Sequence, residues 1–112
     1  MKIYHNPRCS KSRCSLDILN KENVEFEVIK YLENSPDADE IRDLLEKLNI
    51  KAEELIRKGE KEFKDNYQGK SLSEEEWIQA MVKFPKLIER PIFVNGDKAV
   101  IGRPPEKVLE IL

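Results

Sequence analysis

The order of local patterns at the start of the chain limits the fold more than any other feature. A short β-prone run, Lys2 to His5, is stopped by Asn6-Pro7, and a helical pattern begins at about Ser10, with Cys14, Ile18 and Leu19 sharing one face. Val24, Phe26 and Val28 then alternate with Glu25, Glu27 and Ile29, the period of a strand. Strand, helix, strand predicts two parallel strands joined by a right-handed crossover. Cys9 falls in the turn between the first strand and the first helix.

The rest of the chain supplies the other layers. Asp37 and Glu40 have capping-box spacing, and Ile41, Leu44, Leu45 and Leu48 follow as an amphipathic stripe. Ala52 to Arg57 reads as a shorter helical piece. Lys58 to Lys70 is polar, broken by Gly59 and Gly69, with Phe63 and Tyr67 as its anchors. Ser73 and Glu76 repeat the capping-box spacing, and Trp77, Ile78, Met81 and Phe84 give a buried face that Pro85 ends. Pro91 to Val94, Asn95-Gly96-Asp97 and Lys98 to Ile101 predict a β-hairpin. Pro104-Pro105 opens a last short helix, with Val108, Leu109 and Leu112 as its apolar face. The order β-α-β, helices, β-β-α predicts an α/β fold with one mixed sheet flanked by helices and an inserted helical segment. That arrangement resembles the thioredoxin-like fold.

With 112 residues, of which 39% are hydrophobic and 38% charged, the expectation is one domain over residues 1–112 with its own core. The net charge of -2 provides no general attraction to nucleic acid or an anionic membrane. The opening residues lack the apolar run of a secretory signal, and no segment is apolar for long enough to span a bilayer. A cytoplasmic location is expected, and the two cysteines are expected to be reduced rather than paired as a structural framework.

Cys9 is the candidate nucleophile. A strand-to-helix turn offers amide N–H groups and the positive end of the helix dipole to a thiolate, and Arg8, Lys11 and Arg13 add positive charge. Ser10 and Ser12 bring hydroxyls that can donate to sulfur. Cys14 lies one and a half turns into the helix, where packing is its default role. As a candidate resolving thiol it would need its Cα within ~7 Å of that of Cys9. His5, the only histidine, stands close to the Cys9 loop, where it could help ionise the thiol, orient the loop or simply hydrogen-bond. No Cys, His and acidic cluster has metal-ligand spacing, so no metal is expected.

His5-Asn6-Pro7-Arg8-Cys9-Ser10-Lys11-Ser12-Arg13 resembles the active-site loop of glutaredoxin-type arsenate reductases. Tyr31 to Pro36, Leu55 to Lys58, Glu89 to Ile92 and Ile101 to Pro104 are similar to that family's other signatures, in the same order. The resemblance implies that Cys9 is the nucleophile and that Arg57, Arg90 and Arg103 surround the oxyanion. It implies that His5, Asn6 and Ser12 support the thiolate and that Pro91 follows a cis bond. Guanidinium groups suit this task, because they grip tetrahedral oxygens through paired, charge-assisted hydrogen bonds.

The activity so implied is reduction of arsenate, or a related oxyanion, to arsenite. Glutathione is the implied co-substrate, glutaredoxin the partner, and no cofactor is tightly bound. Two other readings share the fold. One is a redox-responsive transcription regulator that binds RNA polymerase and senses oxidation through a C-x-x-C pair, although Ser12 stands where its second cysteine would be. The other is a glutathione-dependent thiol transferase not specific for arsenate.

Overall fold

The computed structural model describes residues 1–112, which divide into two compact units. One comprises Met1–Asn34 and Arg90–Leu112, and the other Ser35–Glu89. The first contains all four strands: β1 (Lys2–His5), β2 (Glu27–Lys30), β3 (Ile92–Asn95) and β4 (Lys98–Ile101). Their order is β2-β1-β3-β4, with β1 parallel to β2 and antiparallel to β3. The mixed sheet expected from the sequence is therefore present, with β1 inside it.

Helix α1 (Ser10–Lys21) lies on the sheet face that carries Ile3 and Phe93, which are register partners. Leu19 and Val108 complete this core, and Leu16, Ile18, Val24, Phe26, Val100 and Ile111 pack around it. Burial drives the arrangement, since each large apolar side chain removed from water contributes about 1.5–3 kcal/mol. Tyr4, Ile92 and Val94 are buried on the opposite face of the sheet.

Three details depart from the sequence reading. The buried stripe of α1 is Ser12, Ser15 and Leu19, whereas Cys14 is exposed, so packing is not the role of Cys14. Strand β2 begins at Glu27 rather than Val24, and Val28 is exposed. Val24 and Phe26 are drawn into the α1 core before the strand starts. The last element, Pro105–Ile111, is a 3₁₀ helix. Its three-residue turn directs Pro105, Val108 and Ile111 inward and leaves Leu109 and Leu112 exposed, where a 3.6-residue period had grouped them with Val108.

The hairpin turns through Gly96 and Asp97, and Gly96 takes the left-handed φ of 64° that a tight turn requires.

The second unit is helical. Helix α2 (Ala38–Leu48) starts at Asp37, whose carboxylate accepts the Glu40 amide at 2.8 Å. A 3₁₀ turn (Ala52–Leu55), α3 (Lys61–Asn66), α4 (Glu74–Lys83) and a second 3₁₀ turn (Pro85–Leu87) follow. Ser73 and Glu76 form the reciprocal capping box expected at the start of α4. Trp77 stacks with Phe63 at 6.1 Å, which explains why the polar Lys58–Lys70 segment still holds a buried anchor. An isolated bridge between Ile56 and Ile88 ties the two sides of this unit.

Leu19→Ala removes a fully buried side chain from the α1 core and should lower the unfolding free energy by about 2–5 kcal/mol. Urea denaturation checks this against Asn20→Ala, an exposed neighbour whose effect should stay within about 0.5 kcal/mol.

Candidate active site

The loop between β1 and α1 is fixed by its own hydrogen bonds. The Cys9 amide donates to the Asn6 carbonyl at 3.0 Å, and the Arg8 amide donates to Asn6 Oδ1 at 3.0 Å, folding the chain tightly around Pro7. From beneath, the buried Ser12 hydroxyl accepts the Asn6 amide at 3.0 Å and lies 2.6 Å from His5 Nδ1. Either partner can donate in that last contact, and in both cases His5 braces the loop through Ser12. Burial lowers the His5 pKa below its usual 6.5, and Lys30 and Arg13 push it the same way, so the ring is neutral at pH 7. The Ser12 hydroxyl, which the sequence offered as a donor to sulfur, meets His5 and the Asn6 amide.

Cys9 is the N-cap residue of α1, in extended conformation, and no conventional side-chain hydrogen bond caps that helix. Partial burial pushes the thiol up, but donors around the sulfur outweigh it and leave Cys9 below its ordinary value of 9.0. They are, in order, the Ser12 amide, the Arg90 guanidinium and the Lys11 amide, and the charge of Arg90 acts in the same direction. Ser12 thus supports the sulfur through its backbone. Arg103 Nη2 also lies 3.4 Å from Cys9 Sγ, and its Nε donates to the Arg90 carbonyl at 2.9 Å. The sulfur sits between two arginines.

Tight packing holds those arginines in place. The Arg90-Pro91 bond is cis, as the resemblance implied, and Arg103-Pro104 is cis as well. The Gly102 amide donates to the Pro91 carbonyl at 2.8 Å. A Cβ at Gly102 would lie 2.5 Å from Ser15 Oγ and 2.8 Å from Pro91 Cγ, so only glycine fits between α1 and Pro91. Ser15, fully buried, donates its hydroxyl to the Pro105 carbonyl at 3.2 Å. The sequence reading missed Ser15 and Gly102. Ser15 could have been found from its spacing, three residues after Ser12 and four before Leu19.

Two expected residues have other surroundings. Arg57 belongs to the helical unit, where its guanidinium meets Glu89 at 2.8 Å and Glu60 at 3.3 Å. Cys14 and Cys9 are both free thiols. Five residues of helix rise about 7.5 Å, beyond the ~7 Å Cα separation a disulfide tolerates. A Cys9–Cys14 bridge would therefore require the first turn of α1 to open. No group of three or more His, Cys, Asp or Glu side chains converges as a metal site. No helix is long and apolar enough to cross a membrane.

The sequence model of the ArsC family matches residues 4–111. The chain belongs to the ArsC family. Among its relatives, a protein of Escherichia coli K12 named uncharacterized protein YfgD is 57% identical, covering 100% of this chain and 96% of that protein. An arsenate reductase of Haemophilus influenzae is 42% identical, covering 98% of this chain and 97% of its own. The solved structure of an arsenate reductase from Vibrio cholerae superposes with a TM-score of 0.95 at 46% identity, covering 100% of this chain and 98% of that one. The fold is accordingly the thioredoxin-like fold of ArsC proteins.

Because the pKa of Cys9 is lowered, its thiolate fraction, and hence its alkylation rate, should rise with pH through a midpoint below 9.0. Arg90→Ala removes a donor to sulfur, and Gly102→Ala displaces the strand end that carries Arg103. Both should move the midpoint upward, and at a pH below it a midpoint raised by about 1 slows alkylation about tenfold. Iodoacetamide kinetics from acid to alkaline pH, in a Cys14→Ser background, provide the check.

Proposed function

We propose that this ArsC-family chain reduces arsenate to arsenite, with Cys9 as nucleophile and glutathione with glutaredoxin as electron donors. The observation that carries this reading is the Cys9 sulfur, held below its ordinary pKa with guanidinium groups of Arg90 and Arg103 beside it. A bare thiolate repels an anion, and two fixed guanidinium groups offset that repulsion. The named arsenate reductases among its relatives support the choice of substrate.

In the first step, the Cys9 thiolate attacks arsenic(V), an As–S bond forms and an arsenate oxygen leaves as water. Arg90 and Arg103 hold the remaining oxygens. The family resemblance assigns Arg57 the same role, and its guanidinium pairs here with Glu89 and Glu60. A glutathione thiolate then attacks the Cys9 sulfur. The As–S electron pair moves to arsenic, which leaves as arsenite, and a Cys9–glutathione disulfide remains. Glutaredoxin reduces that disulfide and restores the thiol. The exposure of Cys14 within an intact helix supports an external thiol as the donor.

The test is arsenate-dependent NADPH oxidation coupled through glutathione, glutaredoxin and glutathione reductase. Cys9→Ser should abolish turnover, Cys14→Ser should leave it intact, and Arg103→Ala should lower kcat/KM about a hundredfold, as loss of an oxyanion donor does. Unchanged turnover in Cys9→Ser would overturn the reading. Absence of arsenate turnover alongside active release of glutathione from mixed disulfides would transfer the assignment to thiol transfer.

A further inference from the structure

We propose that Ser15, a buried hydroxyl outside the Cys9 loop, is a positioning residue that acts through Arg103: it fixes the short link carrying that arginine and so holds the guanidinium beside the sulfur. Serine side chains mostly face water, yet Ser15 lies in the second turn of α1 with 0% exposure. Its hydroxyl touches neither Cys9 nor the loop before it. What it touches is the chain on either side of Arg103.

Arg103 stands in the link between β4, which ends at Ile101, and the 3₁₀ helix that begins at Pro105. Before the arginine, Gly102 packs so closely that a Cβ there would come within 2.5 Å of Ser15 Oγ. After it, the Pro105 carbonyl accepts the Ser15 hydroxyl at 3.2 Å. One side chain therefore brackets Arg103 from both directions. The far end of the same 3₁₀ helix has its own anchor, since Asn95 Nδ2 donates to the Ile111 carbonyl at 2.6 Å. Of the two anchors, that of Ser15 is the one beside the arginine.

Helix α1 gives this bracket its consequence. Cys9 is the N-cap of α1 and Ser15 belongs to the same helix, so one hydrogen-bonded element sets both the sulfur and the anchor of Arg103. Arg103 Nη2 and Cys9 Sγ lie 3.4 Å apart although their residues are separated by 94 positions in sequence. A long-range contact of that kind holds its geometry when both partners are referred to one rigid body. Without the hydroxyl, the Pro105 carbonyl loses this donor and a space opens beside Gly102 into which the link can relax. Misplacement of a catalytic contact by ~1 Å is enough to lower a rate by orders of magnitude. The effect on the sulfur is independent of the substrate, whereas any effect on anion binding rests on the reading above, in which Arg103 grips the oxyanion.

The experiment follows Cys9 alkylation by iodoacetamide against pH in the Cys14→Ser protein. Ser15→Ala should raise the midpoint, slowing alkylation about threefold to tenfold at a pH below it. In an Arg103→Ala background the same substitution should add nothing, because the hydroxyl acts through that arginine. Asn95→Ala, which frees the other end of the 3₁₀ helix, should leave the midpoint in place, as a merely stabilising role for Ser15 would not predict. An unmoved midpoint in Ser15→Ala, an equal shift with and without Arg103, or the same shift in Asn95→Ala overturns the proposal. Ser15→Thr keeps the hydroxyl and should titrate near the native protein; if Ser15→Ala does not fold, a Ser15→Thr midpoint as high as that of Arg103→Ala overturns it instead. Arsenate titrated into Cys9→Ser and Cys9→Ser/Ser15→Ala separates the two ideas. Binding weakened about tenfold supports both, and a shifted sulfur midpoint with unchanged arsenate binding retains Ser15 as the anchor of Arg103 and removes Arg103 from the oxyanion site.

Discussion

A thiolate at the N-cap of a helix must find in the protein the donors that water would otherwise supply, and the sheet unit is organised around that demand. Partial burial alone would raise the Cys9 pKa, and the amides of Ser12 and Lys11 with the Arg90 guanidinium bring it below its ordinary value instead. Those amides point correctly only if the loop is rigid. Rigidity comes from the two bonds to Asn6 and from the His5–Ser12 contact below. His5 thus works as a neutral brace, which its burial favours and a charged imidazole would undermine.

The guanidinium groups depend on the same packing from the other end of the chain. Arg103 reaches the sulfur because Gly102 lies against Pro91 and Ser15, with no room for a side chain. The bond from Arg103 Nε to the Arg90 carbonyl joins both arginines into one structure. A fixed pair of cations loses little entropy when an anion arrives, the condition under which guanidinium groups discriminate best. An exposed pair of flexible cations would contribute far less.

Much of this was legible in the residues, and the parts that were not have physical reasons. The β-α-β opening, the β3–β4 hairpin and the Ser73–Glu76 capping box are local signals, and all three are present, with β2 starting at Glu27 and the hairpin turning through Gly96 and Asp97. Cys9 stood out as a candidate because a strand-to-helix turn flanked by cations favours a thiolate. The burial of Ser12 and Ser15 runs against their polarity and holds because each hydroxyl is satisfied, Ser12 by His5 and the Asn6 amide and Ser15 by the Pro105 carbonyl. The 3₁₀ character of Pro105–Ile111 reassigns Leu109 and Leu112 to solvent, a change of period that the apolar pattern does not encode. Arg57 was assigned with the other two arginines by resemblance alone, and its carboxylate partners Glu60 and Glu89 carry no motif that announces them.

If Cys9, Arg90 and Arg103 together form a tetrahedral-oxyanion site, the arginines must hold the anion even where no chemistry follows. Titration calorimetry of arsenate into Cys9→Ser, which retains the arginines and removes the nucleophile, isolates that property most directly. One saturable site is expected, and it should weaken sharply in Cys9→Ser/Arg103→Ala. Binding of equal strength in both proteins, or none in either, would contradict an oxyanion site built on these residues.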